Sequence, residues 1–195
     1  MITVAGALAV GALPLTKAMA AAVPGDSLPW GLRDRALDAF ERHRTRFAAH
    51  DVIGLVDYAA PSRSPRFHIL DLDSGRVNSL FVAHGRGSDR DHSGWLQHFS
   101  NEPGSAASSA GAYMTGDAYD GSNGSSRRLI GLDAQNSNAE ARAIVIHPAW
   151  YVSSEMARTH GKLGRSEGCF AFSETDIAMV LDRLGPGRMI YADKV

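Results

Sequence analysis

After Val52 the apolar residues of this chain change their spacing, and that change limits the possible folds more than any other feature. Before it, Leu32, Ala36, Leu37, Phe40 and Phe47 recur at helical intervals with Arg and Asp between them, which predicts one amphipathic helix over 31–49. After it, apolar residues come in short runs. Val52–Tyr58, Arg66–Asp71 and Val77–His84 read as three strands, parted by Pro61-Ser62-Arg63-Ser64-Pro65 and by Asp73-Ser74-Gly75. Neighbours joined this closely pair as an antiparallel meander. Leu129–Leu132 and Arg188–Ala192 read as further strands, and Arg142–His147, apolar on both faces, as a central one. One more helix is predicted over 174–184. Ser173-Glu174-Thr175-Asp176 caps it, Ile177, Val180, Leu181 and Leu184 share a face, and Gly185-Pro186-Gly187 ends it. The 20 glycines favour a turn-rich fold. The expectation is a mainly β domain with flanking helices, one N-terminal and one C-terminal.

The chain has 195 residues, which suits a single core. A net charge of −1 gives no electrostatic case for nucleic acid or an anionic membrane surface. Ala5–Leu15 is uncharged and apolar, and Ala18-Met19-Ala20 follows it in a small-x-small pattern. This reads as a secretory signal over 1–22, cleaved after Ala20 or Ala22, although no Lys or Arg precedes the apolar run and Lys17 follows it. The stretch is short for a membrane span. Residues 23–30 read as a linker and 31–195 as the folded domain. Residues 85–127 are rich in Gly, Ser, Asp and Asn, with Ala112-Tyr113-Met114 as a short strand within them, and 148–168 have loop character. Long polar stretches of this kind carry function more often than structure.

Cys169 is the single cysteine, so an exported form has no intramolecular disulfide partner for it. Acyl transfer by cysteine needs a thiolate, a base and donors for an oxyanion. Gly168 precedes the sulfur and, lacking a Cβ, lets a substrate carbonyl approach the backbone. No histidine follows Cys169, which excludes the papain-like chain order. The base must come from upstream. His147, at the end of the central strand, is preferred over His160, which lies between Thr159 and Gly161. A depressed thiol pKa is expected of such a nucleophile, aided by the helix that starts near Ser173. His84, His92 and His98, with Asp89 and Asp91 nearby, invite a zinc reading. Their spacings fit no helix-face ligand pair, so no metal and no cofactor is expected. Arg165 has the planar fork that suits a carboxylate, or it forms a salt bridge with Glu155 or Glu167. Tyr113, Trp150 and Tyr151 are candidate packing surfaces for a ligand, and Asn101 and Ser109 candidate hydrogen-bonding groups.

His147 followed by Ser166-Glu167-Gly168-Cys169 resembles the active-site element of the L,D-transpeptidases of the YkuD type, and more closely the YkuD_2 murein L,D-transpeptidase catalytic domain family. The resemblance extends through Val82–Ser88, Phe99–Ser105, Ser108–Tyr113, Arg128–Leu132, Arg142–His147, Tyr151-Val152 and Gly164–Cys169. It implies a β-sandwich-type fold of two packed sheets with the site in a groove under a flap. It implies attack by Cys169 on a peptidoglycan tetrapeptide stem, release of D-Ala, and transfer to a second stem in a 3→3 cross-link. His147 would be the base, Ser166 would position the histidine or the turn, and Gly168 with Cys169 would supply the oxyanion hole. It further implies acylation by carbapenem-type inhibitors. There are two departures: Glu167 stands where the broader family has a second histidine, and Pro148 follows the base where Gly or Ser is usual. Hydrolysis by the same pair, as an L,D-carboxypeptidase or endopeptidase, and a silent wall-binding module are the alternatives. The protein is expected to act as an exported monomer.

Overall fold

The computed structural model describes residues 28–195. The expected signal segment and most of the expected linker lie outside the described residues. The last part of that linker does not: Leu28 is buried in the core, and helix α1 (Trp30–Arg42) opens two residues later. The helix expected over 31–49 stops at Arg42, and a single 3-10 turn, Arg44–Arg46, completes the segment.

Eight strands follow the order of the chain: β1 (Val52–Asp57), β2 (Phe67–Asp71), β3 (Val77–Leu80), β4 (Gly111–Gly121), β5 (Gly124–Gly131), β6 (Val145–Pro148), β7 (Phe170–Phe172) and β8 (Met189–Asp193). Helix α2 (Ser154–His160) and helix α3 (Ile177–Arg183) flank β7 in sequence. The strands form one continuous sheet in the order β3-β2-β1-β8-β4-β5-β6-β7. The predicted meander is present, with β1 antiparallel to β2 and β2 to β3.

The sheet curls on itself. The chain leaves β3 at one edge and, three residues later, Ala83 bridges Ala171 of β7 at the opposite edge, followed by Gly85 with Ser166. Phe67 of β2 and Phe172 of β7, from the two ends of the sheet order, meet edge to face at 4.8 Å. The two packed layers are thus halves of one rolled sheet around a core that includes Val56, Phe67, Tyr113, Ile146, Phe170 and Ile190. Alternation explains why β1 is buried on both faces. Val52 and Val56 point into this core, whereas Ile53 and Leu55 meet Leu32, Ala36 and Phe40 of α1 on the outside.

Four local readings change. Residues 111–131 form one long hairpin, β4–β5, where the sequence indicated only short strands at 112–114 and 129–132 with loop between, because the intervening stretch is built from Gly, Ser, Asp and Tyr rather than from β-branched residues. The strand expected over 142–147 begins only at Val145, since Ala143 has a φ of +53° that breaks the ladder. Helix α2 was unexpected. Its N-cap is Ser153, whose side chain accepts from Met156 N–H at 3.0 Å, and its end is Gly161 at a φ of +67°. The helix expected over 174–184 is shorter: α3 starts at Ile177 with Asp176 as an N-cap that makes no side-chain cap bond, and Ser173 Oγ, which accepts from Asp176 N–H at 3.1 Å, closes the turn before it.

Candidate active site

The pairing of β6 with β7 assembles the site. The two strands are parallel, with Ile146 opposite Phe170 and His147 opposite Ala171. Ile146, Phe170 and Phe172 enter the main core, while Ala171 lies on the other face with Ala83, Ala149, Val152 and Leu163. His147 therefore projects from the outer face, and Cys169, two residues before Ala171, is carried to the same face. Both line one cavity of about 690 Å³, together with Arg142, Trp150, Tyr151 and Glu167. Ser122 and Asn123, the tip of the β4–β5 hairpin, also line it. His160 is exposed and does not line the cavity.

His147 is 6% exposed. Its Nδ1 lies 2.8 Å from Pro148 O, so Nδ1 carries the proton and Nε2 is left with a lone pair. Pro148 removes a backbone N–H after the base, as the sequence indicated, but its carbonyl takes over the orienting role. Burial lowers the imidazole pKa below its ordinary value, partly countered by the Pro148 carbonyl, so the ring is neutral at neutral pH.

The Cys169 thiol is half-buried and donates to Ala143 O at 3.5 Å. Its pKa is raised, chiefly by burial; a Val145 backbone hydrogen bond opposes this, the Glu167 carboxylate adds a lesser push upward, and the Arg142 guanidinium a lesser one downward. The expectation of a depressed thiol pKa is thus corrected: at rest the thiol and the imidazole that line this cavity are both neutral. Helix α3 does not reverse this. Four residues of extended chain separate Cys169 from Ser173, roughly 13 Å, and a helix dipole acts only within its first turn.

The turn before the sulfur is tightly fixed. Ser166 is buried, and its hydroxyl donates to Cys169 O at 2.8 Å and accepts from Gly168 N–H at 3.1 Å. Ser166 thus holds the turn rather than the histidine. The Gly168 N–H is engaged in that bond, leaving it unavailable to an oxyanion in this state. Gly168 has a φ of +115°, and a Cβ there would lie 2.6 Å from Ala107 O, so only glycine fits. Behind the turn, Ser166 N–H donates to His84 O at 2.9 Å and Arg86 N–H to Ser166 O at 2.8 Å.

Among the expected ligand-binding residues, Trp150 is 73% exposed at the cavity rim, stacked edge to face on Tyr151 at 5.8 Å. Arg165 lines the cavity, and its guanidinium donates to the backbone carbonyls of Asp89 and Arg90 rather than pairing with Glu155 or Glu167. Glu167 pairs instead with Arg86 at 2.9 Å, both largely exposed. Three expectations fail, two on burial and the third on position. Tyr113 is fully buried, its ring edge to face with Phe170 and its hydroxyl on Ser109 O. Ser109 is 2% exposed and bonds Ser100 O and Arg142. Asn101 ties the polar loop to Ala134, Ser137 and Asn138 away from the cavity. These side chains build the wall and do not face a ligand.

Sequence reasoning missed Arg142. It stands at the head of the run that ends in His147, and its guanidinium bonds Ser100 O, Ser105 Oγ and Ser109 Oγ while its charge reaches Cys169. An arginine opening an otherwise apolar run was the only signal. His84, for which zinc was considered and set aside, sits 1% exposed between Arg66 at 2.7 Å and Asp89 at 3.2 Å. Burial and the Arg66 charge push its pKa down to about 4. His92 bonds Leu163 O at 2.8 Å. No cluster of three metal-ligating side chains occurs among the described residues.

Several solved L,D-transpeptidases match the chain at low identity. One from Mycobacterium tuberculosis H37Rv matches at 12% identity over 74% of this chain and 58% of its own, with a TM-score of 0.45. L,D-transpeptidase 3 of Mycobacterium tuberculosis, in complex with a faropenem-derived adduct, matches at 11% over 74% and 60%, with a TM-score of 0.47. The helical cell shape determining protein Pgp2 of Campylobacter jejuni matches at 10% over 86% and 57%, also with a TM-score of 0.47. The chain thus spans about three fifths of the length of these structures. No curated protein sequence matches it. The YkuD_2 family model, described as L,D-transpeptidase catalytic domain, matches residues 28–192, and the chain belongs to that enzyme family.

Proposed function

We propose that this enzyme transfers acyl groups between peptidoglycan stem peptides through a thioester on Cys169. The observation that carries the reading is the convergence of Cys169 and His147 on one sheet face and in one cavity, with Nδ1 of the imidazole held by Pro148 O and Nε2 free to act.

In the donor half-reaction the stem peptide lies in the cavity under the Ser122-Asn123 tip. Nε2 of His147 takes the Sγ proton as the sulfur attacks the carbonyl preceding the terminal D-Ala. The neutral resting pair makes this transfer concerted with attack, since neither charged form is favoured beforehand. The Cys169 N–H supports the developing oxyanion, and the guanidinium of Arg142 offsets negative charge on the sulfur. The imidazolium then protonates the leaving D-Ala amine. In the second half-reaction an amine on another stem attacks the thioester, giving the 3→3 cross-link, and the thiol is restored. Water in place of that amine makes the same enzyme an L,D-carboxypeptidase. Trp150 at the rim offers a flat apolar surface to the stem. The 1–22 segment is read as the export signal that brings the domain to the wall, and carbapenems are read as acylating Cys169.

Incubation with disaccharide-tetrapeptide followed by mass spectrometry tests this. Cross-linked dimers with loss of D-Ala are the expected result. Tripeptide alone would replace transfer with hydrolysis, and unchanged substrate would remove the reading.

A further inference from the structure

Behind the nucleophile turn lies a group of polar side chains that the reaction does not touch. Arg66, His84 and Asp89 are all buried, and none of them lines the catalytic cavity. A guanidinium has no lone pair, so the Arg66 side chain, 2.7 Å from His84 Nδ1, donates to it. The ring proton is therefore on Nε2, which donates to the Asp89 carboxylate at 3.2 Å. The neutral imidazole bridges a buried cation to a buried anion. Tyr58 closes the group from a third side, its ring 5.0 Å from the Arg66 guanidinium and 6.4 Å from the imidazole. Stability alone does not account for such a group, since apolar replacements of buried charge pairs are often as stable or more so.

The group is tied to the chain on both sides. Arg66 donates to Val82 O at 3.0 Å and 3.2 Å and to Ala60 O at 3.0 Å. Asp89 accepts from Ser93 N–H at 2.7 Å, Ser93 Oγ at 2.9 Å and Gly94 N–H at 2.9 Å. Between these anchors runs the segment 83–86, which bridges β7 and meets the nucleophile turn. His84 O accepts from Ser166 N–H, and Asp89 O accepts from the Arg165 guanidinium. Two members of the group thus grip the two residues that open the turn. The Ser166 hydroxyl then bonds Gly168 N–H and Cys169 O, so the backbone of His84 stands two hydrogen bonds from that of Cys169.

We propose that Arg66, His84 and Asp89 act as a positioning group that holds the nucleophile turn in its attacking geometry, with His84 as the residue on which it depends. The proposal rests on the acyl-enzyme reading above. The imidazole is rigid and bonded at both nitrogens, so Arg66 and Asp89 together set its place, and its own backbone carbonyl passes that placement to Ser166. A displacement of about 1 Å at a reacting atom is enough to cost about a hundredfold in rate. Loss of the bridge shifts the sulfur relative to His147 without changing the cavity wall that a stem peptide contacts. It therefore acts on kcat and spares KM.

Turnover of disaccharide-tetrapeptide tests this, with kcat and KM measured separately and kcat expressed per folded molecule, as read by near-ultraviolet circular dichroism. His84→Gln keeps both bonds, since its amide oxygen accepts from Arg66 and its amide nitrogen donates to Asp89; His84→Leu keeps bulk and loses both. The expected kcat falls by about tenfold or more in His84→Leu and stays within about threefold of wild type in His84→Gln, with KM within about twofold in both. The double variant Arg66→Met/His84→Leu removes the buried cation together with its partner, a change that cores tolerate better than loss of one partner. It answers if His84→Leu does not fold, and the same loss of kcat is expected in it. Wild-type kcat per folded molecule in the variants that carry His84→Leu, an equal loss in His84→Gln, or a loss confined to KM would overturn the positioning role. Donor left unconsumed by wild-type protein would refute the acyl-enzyme itself, a result that no outcome in the variants resembles.

Discussion

Replacing Gly168 by alanine isolates the geometry on which the nucleophile depends, and Gly161 supplies the control. Both residues have positive φ, +115° and +67°, so both substitutions incur left-handed backbone strain. They differ in what the new methyl meets. At Gly161 nothing lies within 4 Å; at Gly168 the Cβ falls 2.6 Å from Ala107 O and 2.8 Å from Ile144 Cδ1, the first a backbone atom that cannot rotate away. Left-handed strain alone costs about 1–2 kcal/mol and is partly offset by the reduced entropy of the unfolded chain. Backbone strain plus overpacking brings Gly168→Ala to about 2–6 kcal/mol. At roughly 2–4 °C per kcal/mol for a domain of this size, Gly168→Ala is expected to melt about 5–20 °C below wild type, and Gly161→Ala within about 5 °C of it. Differential scanning calorimetry of the three proteins is the assay. Equal melting points for the two variants would refute the claim that the walls around Ala107 and Ile144 pack rigidly on the turn.

Ser166→Ala removes the hydroxyl shared by Gly168 N–H and Cys169 O. Stability is expected to fall by about 1–2 kcal/mol and turnover by more than that loss of folded protein explains, with partial rescue by threonine, as read by paired melting and product assays. Burial lowers the His147 pKa, and the base must be neutral, so the acid limb of kcat/KM is expected below the ordinary imidazole range; a limb above about 6.5 in the pH–rate profile would contradict this. His84, buried and neutral with a pKa of about 4, favours the folded state less as protons are added. The unfolded chain binds the proton at about 6.5, so stability is intact above that pH. It declines by about 3 kcal/mol as pH falls from 6.5 to 4, visible in denaturant midpoints and flattened in His84→Gln.

The strands of the meander, β8 and the two predicted helices were legible because their apolar residues keep a clean period. The β4–β5 hairpin was not. Its hydrogen bonds come from a backbone register that Gly, Ser and Asp permit without advertising, and its two-residue tip, Ser122-Asn123, reaches the cavity only because the sheet curls. Cys169 and His147 were legible as reactive types at suggestive places. What brings them together is a parallel pairing between residues 146–148 and 170–172, a long-range fact with no local trace. Tyr113, Asn101 and Ser109 misled for the converse reason. A polar side chain that supports a wall and one that faces a ligand have the same letter, and only burial or place in the fold separates them. Arg142 and the Arg66–His84–Asp89 group were hidden because buried charges go against composition rules and exist only where partners converge.

The account's central claim is that Cys169, activated by His147, forms a thioester. Mass spectrometry of the intact protein after exposure to a carbapenem, with peptide mapping of the product, tests it most directly. The account predicts one stoichiometric adduct on the peptide containing Cys169, none in Cys169→Ala, and formation slowed by at least about a hundredfold in a folded His147→Ala. Absence of an adduct in folded wild-type protein, or undiminished acylation without the imidazole, would contradict it.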